Sequence, residues 1–438
     1  MESEGEQSSL EEPSPPRTPS SSSWPLLLDP AYARSKSVIH DELRSFRVFL
    51  QWCALDHSSA AARAASYAAF LALALAVPAA VSASLRADAS LSPASASAVT
   101  FNRVATLTAS GLAAISFATL AVFFRRCGGL RQLLFLDGGL CDDTAFVRRR
   151  YERELDRAFR LLAALLVPAL CVEAGHKAVF FFSTVRVEPP LPMIPAGVPW
   201  RAVALVATVA SWVYRTGVFL LVCVLFRLTC ELQILRFEGI YHMFDVEACA
   251  AADDIFVEHR RIRTQLLATS HRYRVFIICC LVTITVSQLG ALLVALSSKD
   301  GKSFANSGDL LVGSCVQLSG FFMCLFGAAR ITHRAQRIVS IASQWHMRMV
   351  STALHHKPAA TPAFSTSASD IDTVVLTVPA GSACCEYKSR QALVTYLSHN
   401  SGGITLFGFT LDRGLLHTIF AFEMTLVLWI LSKAVVLS

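Results

Sequence analysis

The feature that most constrains this chain is a set of long stretches with few or no charged residues. A helix needs about 20 consecutive apolar residues to cross the hydrocarbon core of a bilayer. Four of the seven stretches of this length contain no charge at all, which is typical of membrane-spanning helices. The predicted spans are residues 64–85, 104–124, 161–185, 202–226, 275–298, 310–329 and 414–438. The predicted fold class is therefore all-α: a polytopic membrane protein with seven transmembrane helices.

The composition supports the same class of protein. Hydrophobic residues make up 54% of the 438-residue chain and charged residues only 16%, whereas soluble domains average about 25% charged residues. The mean hydropathy is +0.49. The N-terminus does not have the charged n-region and short apolar h-region of a secretory signal peptide. We therefore expect an integral membrane protein, with the plasma membrane as the default location.

The distribution of Lys and Arg predicts the orientation. With seven spans, one side of the membrane holds 30 of these residues and the other side 6. Basic loops remain on the cytoplasmic side, so we expect a cytoplasmic N-terminus and an outward C-terminus. None of the 13 cysteines falls in the three predicted outer loops. The net charge of +7 follows from the cytoplasmic loops, and no nucleic-acid partner is expected.

Outside the spans, the residue pattern predicts helical structure on the cytoplasmic side. The Ser-, Pro- and Glu-rich residues 1–34 are expected to be a disordered head, and an amphipathic helix is expected at 35–60 before the membrane domain at 61–438. Apolar positions at helical spacing predict inner helices at 227–274, 330–356 and 384–400, with a flexible linker at 357–383. These helices are either separate solvated helices or, because apolar stripes need partners in water, one cytoplasmic anchor domain.

Four charged residues fall near the middle of predicted spans. They are Glu173, Lys177, Arg215 and Glu423. Charges at this depth are costly, face the interior of a helix bundle and pair with one another. Two acids and two bases balance, which favours a mutually paired cluster. Its role is left open between a static pair that fixes helix packing and a water-filled cavity or ion path.

Motifs for catalysis and for cofactor binding are missing from the sequence. It contains no G-x-x-x-x-G-K-[ST], no H-E-x-x-H and no G-x-S-x-G, the patterns of phosphate-binding loops, zinc proteases and serine hydrolases. The cysteines do not form C-x-x-C pairs at metal-binding spacing. We expect a protein that is not an enzyme and that has no catalytic residue, metal or cofactor.

The C-terminal stretch GFTLDRGLLHTIFAFEMTLVLWILSK carries a family resemblance. It resembles the end of the insect odorant and gustatory receptor superfamily, in which a small/Phe-Thr-Val-Asp-like turn opens the last helix. It is closer still to an uncharacterised plant family of seven-helix, gustatory receptor-like proteins. Leu426 stands where the superfamily has Tyr, and Ser432–Lys433 where it has Gln-Phe. The matching positions are Gly408, Phe409, Thr410, Asp412 and Thr425.

This resemblance implies a homotetrameric, ligand-gated cation channel. The last span of each subunit would line a central pore, the inner helices would form the anchor domain, and a pocket for a small-molecule ligand would open outward among the other spans. The implied partners are the lipid bilayer, cations and that ligand. The alternative is a non-conducting seven-helix receptor or scaffold. The pore-lining candidates on the last helix are His417, Ala421, Met424, Leu428 and Trp429.

Overall fold

A computed structural model describes most of the chain as a bundle of long helices. It describes Leu55 and residues 60–86, 95–126, 145–187, 199–244, 251–297, 304–355, 382–400 and 402–435. The expected head at 1–34, nearly all of the pre-span helix at 35–60 and nearly all of the linker at 357–383 lie outside the described residues.

Eight helices follow one another along the described chain. A π-helical stretch, Leu71–Ala76, interrupts the first helix, and another, Phe180–Thr184, continues the third. The helices are α1 (Ala60–Ser84), α2 (Ser95–Arg126), α3 (Ala145–Val179), α4 (Trp200–Met243), α5 (Ala252–Ser297), α6 (Phe304–His355), α7 (Ser382–His399) and α8 (Arg413–Val435).

Six of these helices, α1 to α6, are long and apolar enough to cross a membrane. Together with the π-helical continuation of α3, they cover the first six predicted spans to within one residue at their ends, so the expectation of a helical membrane protein is confirmed. The seventh predicted span, 414–438, corresponds to α8, which is 23 residues long and is not one of the six. The seventh crossing and the cytoplasmic N-terminus remain predictions.

Helix α4 is the centre of the bundle and packs against α2, α3, α5 and α6. From Ser211 to Phe237 nearly every side chain is buried, polar ones included. Over the predicted span α4 is apolar around its whole circumference, as is typical of a helix that is buried on all sides. The other helices are arranged around α4.

At one end of the bundle, α4, α5 and α6 extend beyond the lengths that the predicted spans required. Ion pairs join α3, α4 and α6 here: Glu231 Oε1 on α4 lies 2.5 Å from Arg330 Nη1 on α6, and Glu238 on α4 contacts both Arg150 on α3 and Arg334 on α6. Helix α7 packs on the same assembly, with the Arg390 guanidinium 3.9 Å from the Trp345 ring centroid. These extensions and α7 thus contact one another among the described residues, and a cytoplasmic anchor domain stays a prediction.

A short hairpin leads into α8. Strand β3 (Thr405–Leu406) pairs antiparallel with β4 (Phe409–Thr410), and the two turn residues Phe407 and Gly408 have φ of 49° and 93°. Positive φ at both central positions is the mark of a tight hairpin turn, and glycine adopts it at no steric cost. A second pair of strands, β1 (Leu85–Arg86) and β2 (Arg186–Val187), joins the ends of α1 and α3.

Candidate functional site

Three polar residues share one face of α3 near its end. Glu173, His176 and Lys177 are spaced i, i+3 and i+4, so their side chains project together. All three are buried, Glu173 and Lys177 to 3% exposure or less. Glu173 Oε1 lies 3.8 Å from Lys177 Nζ, which is a long ion pair. The direct partner of Lys177 comes from another helix.

That partner is Asp309, in the second turn of α6. Lys177 Nζ donates to Asp309 Oδ2 at 2.6 Å and to Asn102 Oδ1 on α2 at 2.6 Å. His176 Nδ1 lies 2.7 Å from the other carboxylate oxygen, Oδ1. Asp309 is thus buried with Lys177 hydrogen-bonded to one oxygen and His176 at ion-pair distance from the other, and such partners offset the cost of a charge in an apolar bundle. These contacts join α2, α3 and α6.

Arg215 of α4 is buried in a different way. Its Nε donates to the Ser211 carbonyl at 3.2 Å, and its Nη1 donates to the Thr106 carbonyl at 2.9 Å and to Ser110 Oγ at 3.2 Å. Within the described ranges no carboxylate oxygen lies within 4 Å of its guanidinium. Arg215 is therefore a buried cation, 3% exposed, that is hydrogen-bonded to neutral groups.

These residues surround a cavity between α2, α3, α4 and α6. The cavity has a volume of about 30 Å³, and since a water molecule needs at least ~10–15 Å³ measured this way, it has room for about two. Its charged residues are two acids and two bases, so it carries no net charge when all four are ionised. The lining residues are Ala105, Thr106, Ala109, Leu112, Glu173, Lys177, Trp212, Arg215, Thr216, Phe219, Asp309, Gly313, Val316 and Gln317.

Glu423 does not line this cavity, although the sequence grouped it with the other three charges. It lies on α8, is 1% exposed, and its Oε1 accepts a hydrogen bond from Thr285 Oγ1 on α5. Its Oε2 has no hydrogen-bond partner among the described residues. Depth along a helix does not determine which way a side chain points, and Glu423 points at α5 whereas Arg215 points at α2. Asp309 is the second acid of the cavity instead.

Sequence reasoning missed Asp309 and Asn102. The predicted span bounds place both in outer loops, at 299–309 and 86–103, immediately before a predicted span, because charged residues limit the spans. The structure begins α6 at Phe304 and α2 at Ser95, so both residues lie inside helices. For Asp309, the available signal was an acidic residue within one turn of a predicted span.

The five pore-lining candidates lie on the part of α8 that does not pack on the other described residues. Met424, Leu428 and Trp429 are 43%, 57% and 47% exposed, and His417 and Ala421 are also exposed. Buried positions on the same helix, such as Leu416 and Val427, face the bundle. The candidate face is thus available to lipid, to a pore or to another subunit.

The matching positions of the C-terminal stretch have structural roles in the hairpin and the cap of α8. Gly408 makes the turn, Phe409 is 76% exposed, and Thr410 pairs with Thr405. Asp412 Oδ1 accepts a hydrogen bond from the Leu415 backbone N–H at 2.8 Å, which is the geometry of a helix N-cap. Thr425 Oγ1 donates to the Ala421 carbonyl at 2.6 Å, within the helix.

The described residues contain no group of three or more His, Cys, Asp or Glu side chains placed to hold a metal ion. The absence of a metal or cofactor therefore stays an expectation from the sequence. The polar cluster itself can do two things chemically: it can hold helices together through ion pairs, and it can present charges to a small polar ligand in the cavity.

The fold and the buried charges define a helical integral membrane protein. The chain belongs to the family of proteins of unknown function DUF3537, which matches residues 41–422. A search of curated proteins found no match.

Among solved structures, the chain is similar to the insect olfactory receptor OR5 from Machilis hrabei. The structure in complex with eugenol aligns with a TM-score of 0.52 at 11% identity, over 88% of this chain and 96% of the receptor. A second structure of the same receptor aligns with a TM-score of 0.47 at 12% identity, over 89% and 98%. At 11% identity the first of these alignments shows a shared fold.

Proposed function

We propose that this protein is a subunit of a homotetrameric, ligand-gated cation channel of the gustatory receptor-like type, in the plasma membrane. We also propose that it belongs to the plant seven-helix, gustatory receptor-like family and that it has no enzymatic activity. The observation that carries it is the alignment with an olfactory receptor that was solved with a small molecule, over nearly the whole length of both chains. A shared fold alone does not give a function, so the site must supply the rest.

The cavity supplies a place for a ligand. Cavities between the helices of a bundle are common ligand sites, and they combine apolar walls with a few oriented polar groups. Here Trp212 and Phe219 are apolar walls, and Arg215 and Glu173 are the polar groups. In the predicted topology the cavity lies in the outer half of the membrane, within reach of a ligand from outside.

The exposed face of α8 supplies a place for a pore. Four copies of this face, around a four-fold axis, would enclose a path lined by His417, Ala421, Met424 and Leu428. Ligand binding in the cavity would act by favouring one arrangement of the bundle over another. Helices α5 and α6 contact α8, and α6 also lines the cavity, so α6 connects the two sites.

The second candidate function is a non-conducting receptor or scaffold. The observation that favours it is the closed ion pairing of Lys177 with Asp309, which holds three helices together whether or not a pore exists. In that case α8 would face lipid.

Thiol labelling separates the two candidates without knowledge of the ligand. A charged, water-soluble methanethiosulfonate reagent reacts with a thiol in a water-filled pore and is excluded from lipid. We expect Met424→Cys and Leu428→Cys to be labelled in reconstituted protein above the wild-type background. The matched control is Leu293→Cys on α5, which is 67% exposed and is expected to face lipid. Equal protection of all three thiols, together with a monomeric mass in gentle detergent, would overturn the channel.

A further inference from the structure

The charged residues of the cavity divide into a closed half and an open half. Lys177 and Asp309 form the closed half, since each has short contacts to two partners. Arg215 and Glu173 form the open half. Both line the same cavity, yet no ion pair within 4 Å joins them.

The open half has unused hydrogen-bonding capacity on both charges. Arg215 makes its three hydrogen bonds through Nε and Nη1, and within the described residues its Nη2 makes none. Glu173 Oε2 has no hydrogen-bond partner there either. The two side chains are 3% and 2% exposed. Buried charged groups with unused donors and acceptors are costly, so a ligand that paired with both would offset part of that cost.

The chemistry of the open half selects its ligand. A guanidinium presents a planar fork of donors that matches a carboxylate, and a carboxylate accepts from an ammonium group. A ligand with only one of these groups would add a net charge to a cavity that is otherwise neutral, at a high desolvation cost. A ligand with both groups satisfies Arg215 and Glu173 together and leaves the cavity neutral.

The size of the cavity limits the ligand further. About 30 Å³ is far below the ~300–1,000 Å³ of typical small-molecule sites. Trp212 and Phe219 line it on the α4 side. We therefore expect only a compound of a few heavy atoms to fit, after the helices separate slightly.

We propose that the Arg215–Glu173 half of the cavity binds a small zwitterionic compound of the amino-acid type. Its carboxylate contacts the Arg215 guanidinium, and its ammonium group contacts the Glu173 carboxylate. This inference rests on the proposed function for the existence of a ligand and adds the ligand's chemical class. The alternative occupant is a pair of water molecules.

The test is a binding measurement on the full chain in lipid nanodiscs, by thermal shift and by isothermal titration calorimetry. The probes are glycine and L-alanine, with N-acetylglycine and glycinamide as matched compounds that lack the ammonium group and the carboxylate, respectively. We expect saturable binding of glycine or L-alanine and a Kd at least about 30-fold higher for each matched compound, since each leaves one buried charge unpaired. Binding of all four with similar affinity, or of none, would overturn the proposal.

Variants locate the binding. Arg215→Gln should abolish glycine binding, whereas Arg201→Gln, which removes an exposed Arg at the start of the same helix, should leave it unchanged. For Glu173→Gln the matched control is Asp156→Asn, which removes an exposed acid on the same helix. If Arg215→Gln does not fold, the wild-type comparison of the four probes still decides. Unchanged glycine affinity in a folded Arg215→Gln protein contradicts the proposal.

The outcome is separable from that for the channel. The binding measurement does not depend on ion current. If the protein binds the zwitterion but fails the thiol-labelling test, this inference stands and the proposed pore is wrong. Labelling of α8 thiols in a protein that binds none of the four probes keeps the channel and removes this ligand class.

Discussion

At the scale of single residues, the Lys177–Asp309 pair shows why buried charges in this bundle come in matched sets. The two groups are 2.6 Å apart in a site that the solvent hardly reaches. Their attraction offsets the cost of removing both from water, but either one alone would keep that cost without the attraction. Deleting one partner should therefore destabilise the protein much more than replacing both partners with apolar residues.

The first prediction concerns this pair. We expect Lys177→Met to lower the free energy of unfolding by about 3–5 kcal/mol, because it leaves the Asp309 carboxylate buried without its cation. The double variant Lys177→Met/Asp309→Leu should recover most of the loss. The measurement is the apparent melting temperature in detergent, with Lys388→Met on an exposed position of α7 as control. A double variant less stable than the single one would show that the pair is not the cause.

The second prediction concerns Gly308, which precedes Asp309. A Cβ built at this position would lie 2.5 Å from His176 Cδ2, so the imidazole can approach Asp309 only because residue 308 has no side chain. Gly308→Ala should cost about 1–3 kcal/mol through overpacking. Gly175→Ala is the matched control, since no atom lies within 4 Å of its Cβ and alanine favours a helix. Equal melting temperatures for the two variants would rule out the clash.

At the scale of secondary-structure elements, α8 is held by few specific contacts. It packs on α5 and α6, where Phe420 meets Phe322 with ring centroids 4.9 Å apart and Glu423 meets Thr285. The hairpin before it is fastened to the same two helices, because Thr332 Oγ1 donates to the Leu411 carbonyl at 2.7 Å and Ser270 Oγ accepts from the Thr405 N–H at 3.2 Å. The remaining surface of α8 is not covered by any residue that the structure describes.

The third prediction tests the contact between α5 and α8. Glu423→Gln should leave the stability unchanged or slightly higher, because an amide oxygen still accepts from Thr285 and a buried charge is removed. Thr285→Val should lower it by about 1–3 kcal/mol, since the carboxylate then loses its donor. Melting temperature and the yield of folded protein are the readouts. A large loss of yield in Glu423→Gln would mean that the carboxylate has an ionic partner, such as one from a second subunit.

At the scale of the whole molecule, the two ends of the bundle differ. One end carries the cavity and short connections between helices, and the other carries the extended helices and the ion pairs of Glu231 and Glu238. The positive-inside rule assigns the extended end to the cytoplasm. This arrangement separates a small polar site on one side from a large packed assembly on the other.

The fourth prediction is this orientation. An epitope tag on residue 1 should be stained by antibody only after cells are permeabilised, and a tag inserted after Lys299 should be stained in intact cells, because the basic segments remain inside. Immunofluorescence of both tagged proteins with and without detergent measures it. The reverse staining pattern would remove the outward access of the cavity and with it the proposed ligand route.

Hydropathy and charge counting predicted six membrane helices but not where they begin, since α2 starts at Ser95 and α6 at Phe304, before the predicted spans. Spans without charge are recognisable locally, because each helix must satisfy its own backbone hydrogen bonds in lipid. The extensions of α4 and α6 were also predictable, since the apolar spacing continues past the span. The cavity was predictable only in part: Glu173 and Lys177 share a helix, four residues apart, whereas the place of Arg215 beside them depends on how α3 and α4 pack.

The sequence by itself determined the class of protein, because the cost of a bare charge or an unpaired backbone group in lipid can be read from single segments. Only the tertiary structure decided which charges meet. Whether a side chain at a given depth points at α2, α5 or the open face depends on the rotation of its helix, and that rotation results from packing among all the helices. For that reason Asp309 and not Glu423 balances Lys177, and Arg215 lies opposite a carboxylate with one oxygen still unpaired.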